Sequence, residues 1–229
     1  IVGENLRTVM EREGAMPVAE VQRIMREACS GLAAAHDAGI VHRDIKPENV
    51  MLEGVEKRVL LMDFGIAKVV GGGSGEDGDP SEGLTSTGII IGTPQYMSPE
   101  QAMGEKAIDA RSDIYALGAV TYEMLLGEPP FTGSSMQALV GRVLTETPRS
   151  LTAQRHTVPE HVEAAVLRAL EKLPADRFSS AAAYIGALSD ASGSPPIARV
   201  AATVRRASSP TRDKFVYGAL AGALALAAW

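Results

Sequence analysis

His42-Arg43-Asp44-Ile45-Lys46-Pro47-Glu48-Asn49 is the stretch around which the rest of the chain is organised. Asp63-Phe64-Gly65 begins fourteen positions after Asn49. Two short apolar runs lie between them, Val50-Met51-Leu52 and Val59-Leu60-Leu61-Met62, separated by Gly54 to Lys57. That pattern predicts a two-stranded hairpin with polar groups at its open end. The loop entering the first strand and the loop leaving the second then lie side by side, which brings Asp44, Lys46 and Asn49 next to Asp63. Two carboxylates, an amide and an ammonium facing one cleft suit a Mg-nucleotide. Mg²⁺ takes hard oxygen ligands, few of them from protein, with phosphate oxygens completing its shell. Asn49 and Asp63 supply such oxygens, Asp44 can accept the proton of an incoming hydroxyl, and Lys46 can neutralise charge on a transferred phosphoryl group. So sparse a set suffices, because phosphoryl transfer is mostly positioning and electrostatics.

The two motifs together resemble the catalytic core of eukaryotic-like Ser/Thr protein kinases of bacteria, of the transmembrane receptor-like type. Lys46, two residues after Asp44, resembles the Ser/Thr branch rather than the Tyr branch. The resemblance runs over about 1–188 and is carried by five separated motifs. It implies a mainly α fold with a small β-hairpin, the C-terminal (large) lobe of the protein-kinase-like fold, with the small lobe missing and the chain starting at the hinge. It implies ATP with Mg²⁺, or Mn²⁺, and protein substrates with Ser/Thr acceptors. The catalytic set is Asp44 as base, with Lys46, Asn49 and Thr93. The nucleotide set is Asn5, Lys46, Glu48, Asn49, Met51 and Asp63, with Asn49 and Asp63 on the metal. Val50 and Met51 would floor the adenine site, pack in the core, or do both. His42, Arg43, Phe64, Gly65, Glu100, Asp113 and Arg177 receive structural roles. On its chemistry alone His42 could be a general base, but the resemblance makes it a packing anchor. Arg43 pairs in that family with a phosphate, which its planar fork binds bidentately. Thr85 and Thr87, after the glycine-rich acidic run Gly71 to Gly83, match self-phosphorylated activation-loop positions, so a homodimer for trans-autophosphorylation is expected. Gly92-Thr93-Pro94-Gln95-Tyr96-Met97-Ser98-Pro99-Glu100 resembles the peptide-docking segment, with Ser98 where the family usually has Ala. Glu100 needs a buried partner, and Arg177 stands in the matching place. Asp113 would cap the catalytic-loop backbone.

Working outward, Pro17 can open a helix at its first turn. Val21, Ile24, Met25, Ala28, Leu32 and Ala35 recur at spacings of three and four, and Gly39 ends the pattern. Cys29, the single cysteine, sits on that apolar face. It excludes an internal disulfide and fits a reducing compartment. Residues 1–7 read either as the end of a hinge, with Asn5 near the ribose, or as an ordinary helix start. A stretch from Arg111 to about Leu126 has no clearly polar face, which marks a buried helix. Glu123 on it is expected either to face a basic substrate side chain or to be plainly exposed. Three more helices are predicted at about 135–146, 160–172 and 179–188. His156 and His161 are expected to face solvent.

The chain has 229 residues, 45% of them hydrophobic, and a net charge of −6. That length and composition allow one real core, and the charge argues against a nucleic-acid partner. Residues 189–214 read as a flexible basic linker rich in Pro, Ser, Ala and Arg. Residues 215–229 carry no charge. They are too few to span a bilayer, which takes about 20 residues, so they are expected to be the start of a truncated transmembrane helix. The basic residues before them would place the kinase domain in the cytoplasm, anchored to the cell membrane. The chain does not start with Met and is expected to begin inside a longer protein. Two function classes follow. One is a Ser/Thr kinase, the fragment alone being inactive without the small lobe. The other is a pseudokinase acting as a binding or scaffold module, whose usual mark is loss of one of Asp44, Lys46, Asn49 and Asp63; all four are present.

Overall fold

The computed structural model describes residues 3–64 and 94–189, all within a unit spanning Ile1–Pro195. Residue 189, predicted to open the basic linker, is instead the last of the described residues, and the rest of the linker and the apolar tail lie outside them. Among the described residues no helix is long and apolar enough to cross a membrane.

The hairpin is present as β2 (Val50–Glu53) and β3 (Arg58–Leu61), paired with Met51 opposite Leu60. A third strand, β1 (Gly3–Asn5), adds antiparallel to β2, giving the order β1-β2-β3. Its sequence, Gly-Glu-Asn, has little strand propensity. Close approach makes it a strand: a Cβ on Gly3 would stand 2.3 Å from the Leu52 carbonyl oxygen. Asn5 then starts α1 (Leu6–Glu13), its side chain accepting from the Thr8 N–H at 2.9 Å. This is the N-cap function of a short polar side chain. It favours the helix-start reading of residues 1–7 and commits the Asn5 side chain there.

Helix α2 (Val18–Asp37) buries Val21, Ile24, Met25, Ala28, Cys29 and Leu32, the face that the periodicity predicts. Burial pushes the Cys29 thiol up to about 12, which keeps it a protonated core group. After the short α3 (Pro99–Ala102), α4 (Ala110–Leu126) runs through the centre, buried on every side from Ser112 to Leu125. Gly118 lets it approach its neighbour: a Cβ there would lie 2.8 Å from that of Ala169. The predicted last helices are α5 (Met136–Thr145), α7 (Glu160–Ala169) and α8 (Ala181–Ser189), with one unpredicted turn, α6 (Leu151–Gln154), between α5 and α7. Helix α8 returns to pack on α2, where Gln22 Nε2 donates to the Leu188 carbonyl at 2.8 Å. Its Tyr184 is fully buried and donates to Thr121 Oγ1 of α4 at 2.8 Å. His156 is exposed, whereas His161 is half-buried.

Candidate active site

The loop before β2 is irregular from His42 to Lys46 and closes in a tight turn at Pro47–Asn49, where the Asn49 N–H donates to the Lys46 carbonyl at 2.9 Å. Two forces shape it. Ile45 inserts into the core, 2% exposed. From below, the buried Asp113 of α4 accepts the backbone N–H groups of His42 at 2.8 Å and Arg43 at 2.7 Å. His36, at the end of α2, holds the same carboxylate at 2.8 Å through Nε2. Such anchorage is needed because Arg43 has φ of +63°, a left-handed conformation unusual for a non-glycine residue. Gln101 Nε2 donates to the Arg43 carbonyl at 2.9 Å from α3. Ser98 prepares that contact by forming a reciprocal capping box with Gln101. The departure to Ser at this position therefore has a structural use.

His42 is an anchor. Its Nδ1 accepts the Asp44 N–H at 3.3 Å, so the ring proton sits on Nε2, which donates to the Met62 carbonyl at 2.9 Å. Its ring also packs against Phe64, with centroids 4.5 Å apart. Both ring nitrogens are thus committed, which removes the general-base reading of His42.

Asp44 Oδ2 is bracketed by two donors, Lys46 Nζ at 2.9 Å and Asn49 Nδ2 at 3.1 Å. Asn49 Nδ2 also holds the Asp44 carbonyl at 2.8 Å. These bonds fix the carboxylate's orientation. They also spend the Asn49 amide nitrogen internally and leave its side-chain oxygen, Oδ1, as the hard oxygen without a partner among the described residues. Asp63 is exposed just past β3, with φ of +54°. Its neighbours tie it to the loop: the Met62 N–H donates to the Asn49 carbonyl at 2.8 Å, and Phe64 packs on His42. Asp44, Lys46 and Asn49 are thus brought together by hydrogen bonds, and the hairpin register carries the backbone just before Asp63 past Asn49. Met51 is half-buried. Val50 is fully buried, which is the core-packing reading of it.

Glu48 is engaged elsewhere. Its Oε1 accepts Arg7 Nε of α1 at 3.0 Å. Arg7 Nη1 donates to Glu123 at 2.8 Å, and Nη2 donates to the Tyr96 hydroxyl, which itself donates to Glu123. Glu123 is 4% exposed, which corrects the reading of it as a surface residue. The basic group it faces is the chain's own. Burial opposes the Arg7 charge, but the Glu123 carboxylate, Tyr96 and Glu48 together hold its pKa above the ordinary value. Arg7 and Gln101 escaped the sequence reading. The available signal was Glu123 itself, since a carboxylate on a helix apolar all round needs a cation nearby.

The Arg43 guanidinium has its Nε buried with no hydrogen-bond partner among the described residues. Glu100 and Arg177 meet as expected, in a two-pronged pair at 2.7 Å for both contacts, with both side chains all but fully buried. Ser112 donates to Glu100, and the remaining Arg177 N–H groups go to the carbonyls of Glu171, Lys172 and Arg111. Burial would raise the Glu100 pKa, but Arg177 and Ser112 hold it below the usual carboxylate value. Thr93, Gly65, Thr85 and Thr87 lie outside the described residues.

Among the described residues no cluster of three or more His, Cys, Asp or Glu side chains could hold a metal by itself. Comparison with known proteins matches residues 1–185 to the family model for the protein kinase domain. The probable serine/threonine-protein kinase PknB of Corynebacterium glutamicum is 43% identical over 196 residues, covering 82% of this chain and 29% of that protein. The serine/threonine-protein kinase PknB of Mycobacterium tuberculosis is 41% identical over 180 residues, 79% of this chain and 27% of that protein. The crystal structure of the Mycobacterium tuberculosis PknI kinase domain superimposes with a TM-score of 0.59 at 30% identity, covering 81% of this chain and 61% of that one. The chain thus spans less than a third of the length of these two curated relatives.

Proposed function

The chain belongs to the protein kinase domain family, and from that premise we propose that the whole protein transfers the γ-phosphoryl group of ATP to serine and threonine hydroxyls of protein substrates. The observation that carries this reading is the Asp44 carboxylate, fixed by Lys46 and Asn49 in a loop pinned through Asp113. An acceptor hydroxyl beside Asp44 gives its proton to that carboxylate as its oxygen bonds to phosphorus and the bond to the departing ADP breaks. Lys46, within an ion-pair distance of Asp44, lowers the negative charge that the acceptor and the phosphoryl group would otherwise meet.

The donor chemistry fits Mg²⁺. The Asn49 side-chain oxygen and the Asp63 carboxylate are hard oxygens, and one or two protein ligands are the number Mg²⁺ commonly takes when phosphates complete its shell. When bound, Mg²⁺ supplies charge neutralisation at the phosphate oxygens. The side chains of Asn5 and Glu48 are committed to Thr8 and Arg7, which leaves Lys46, Asn49, Met51 and Asp63 to carry nucleotide contacts.

Phosphorylation of Thr85 and Thr87 between two copies is part of the reading, and the Arg43 Nε, without a hydrogen-bond partner among the described residues, supports it. A phosphothreonine adds about −1.5 to −2 charges and makes one to three charge-assisted hydrogen bonds to such a cation. The full-length protein, given labelled ATP and a mixed protein acceptor, should yield phosphoserine and phosphothreonine, with its own label mapped to Thr85 and Thr87. No incorporation, or phosphotyrosine alone, would overturn the assignment.

Attachment to the cytoplasmic face of the membrane completes the proposal and rests on the basic run before an uncharged tail. The full-length protein, carrying the tail from Val216, should resist alkaline extraction from membranes. A washable product contradicts the attachment.

A further inference from the structure

The Asp44 side chain starts from the peptide unit between Arg43 and Asp44, and that unit is held at both of its polar ends. Its carbonyl accepts Gln101 Nε2 at 2.9 Å, and its N–H donates to His42 Nδ1 at 3.3 Å. A peptide unit is planar and rigid, so partners on its oxygen and its nitrogen together set its tilt. The two holds are unequal. An N–H donor usually stands about 2.7–3.2 Å from its acceptor, so the contact to Gln101 is of ordinary length and the contact to His42 is long. The Arg43 N–H is pinned on the other side of its Cα, where Asp113 Oδ1 accepts it at 2.7 Å. That bond anchors the residue but leaves rotation about the Arg43 Cα–C bond free to swing the next peptide unit. Arg43 also has φ of +63°, which its side chain disfavours, so the loop has a reason to relax. Gln101 is the side chain of α3 that opposes this. Its amide oxygen accepts the Ser98 N–H at 3.1 Å and the Ser98 hydroxyl at 3.2 Å, which turns its amide nitrogen toward Arg43. The residue before it, Glu100, is fixed by Arg177 through two contacts at 2.7 Å. Gln101 therefore reaches the catalytic loop from a rigid base.

We propose that Gln101 is a positioning residue for the transfer step: by holding the Arg43 carbonyl it sets the tilt of the peptide unit that carries Asp44, and so the direction in which the Asp44 carboxylate faces the acceptor hydroxyl. The inference rests on the kinase reading above and adds to it a residue outside the catalytic loop. Gln101 acts through Asp44 rather than on the reacting atoms. The physical reason is geometric, since a proton acceptor works only within hydrogen-bond reach of the hydroxyl and a displacement of about 1 Å can cost about 10²-fold in rate. Gln101 also joins the two sides of the reaction. Helix α3 follows directly on the segment that resembles the peptide-docking stretch, so one side chain ties the place where the acceptor would lie to the carboxylate that takes its proton.

The test uses the full-length protein, its Gln101→Glu and Gln101→Met variants, Asp44→Asn, and the double variant Asp44→Asn/Gln101→Glu. Gln101→Glu keeps the oxygen that Ser98 uses and removes the donor to Arg43. Gln101→Met keeps the length of the side chain and removes both. With ATP and a peptide acceptor, each single Gln101 variant should lower kcat by about 10- to 100-fold and leave both KM values within about 3-fold. In the Asp44→Asn background, Gln101→Glu should change the residual rate by less than about 3-fold, because no carboxylate is left to orient. A full, additive loss in that background overturns the proposal, as does an unchanged kcat in either folded single variant or a loss confined to KM. A second measurement needs no activity. Protection of the Asp44 amide against hydrogen exchange, read by nuclear magnetic resonance, should fall by about 10-fold in Gln101→Glu, while the His42 and Arg43 amides, which Asp113 holds, should stay within about 3-fold. Equal loss at all three amides, or failure of both single Gln101 variants to fold, would make Gln101 a structural residue and overturn the proposal. If the unaltered protein transfers no phosphate to any peptide, the kinase reading fails, and the exchange result still decides whether Gln101 sets the peptide unit of Asp44.

Discussion

Asp44→Asn in the full-length protein is expected to lower phosphoryl transfer by about 10²–10⁴-fold, the usual contribution of a positioned general base. The substitution keeps the size of the side chain and an oxygen that can still accept from Lys46 and Asn49, which lie 2.9 and 3.1 Å from Oδ2. What it removes is the charge that receives the proton. Its effect on folding should be small, because the Asp44–Lys46 pair is part-exposed and such pairs contribute at most about 1 kcal/mol. The backbone bonds that set the loop, from Asp113 to His42 and Arg43, are untouched. Initial rates at saturating ATP and acceptor, together with a melting curve, check both halves. A variant that keeps most of its rate would remove Asp44 from the role of base.

Arg177→Ala should destabilise the domain by about 3–5 kcal/mol, the range for removing one side of a buried ion pair. A whole domain is stable by only about 5–15 kcal/mol, so the loss is a large share. The size follows from what is stranded. Glu100 would keep Ser112 but lose two contacts at 2.7 Å while 3% exposed, and three backbone carbonyls would lose their donors. Glu100→Gln/Arg177→Met should recover part of the loss, since an uncharged pair strands no ion. The same pair gives a pH dependence of definite sign. The Glu100 pKa is lower in the folded than in the unfolded chain. Its stabilisation is therefore fully present above the ordinary carboxylate range and is lost as pH falls through the folded value. Thermal unfolding followed by far-ultraviolet circular dichroism, at neutral pH and at pH values below 4, reads both effects. A change under about 1 kcal/mol for Arg177→Ala would show that the pair is dispensable.

The catalytic loop was legible because its chemistry is dense. Asp44, Lys46 and Asn49 fall within six residues, and the hairpin that brings Asp63 beside them is written in two apolar runs with a turn between. Helix α4 was legible because its apolar positions leave no polar face, and the Glu100–Arg177 pair because a family resemblance named both ends. Strand β1 was not. Gly3-Glu4-Asn5 acquires its structure from an edge of β2 rather than from its own residues, and pairing partners far apart leave no local mark. The Arg7 cluster failed for the same reason, since its four members are separated by up to 116 positions. Glu123 was noticed, but an isolated acidic residue in a sequence does not say which arginine will come to it. Nothing near His36 in the sequence identifies Asp113 as the group it holds.

The packing of α8 on α2 also sets an order of events when the protein is made. The last residue of α2 is Asp37 and the first of α8 is Ala181, so 144 positions separate the two ends of the contact. At roughly 5–20 residues per second, the ribosome needs on the order of 7–29 s to bridge that interval. Throughout it, the part of α2 that α8 will cover faces water or whatever else the cell offers. The buried hydroxyl of Tyr184 cannot reach Thr121 before then, so the inner end of α4 is sealed only near completion of the domain. Early α2 is thus a natural client for a chaperone, and a nascent chain halted before Ala181 would leave apolar surface for aggregation to find.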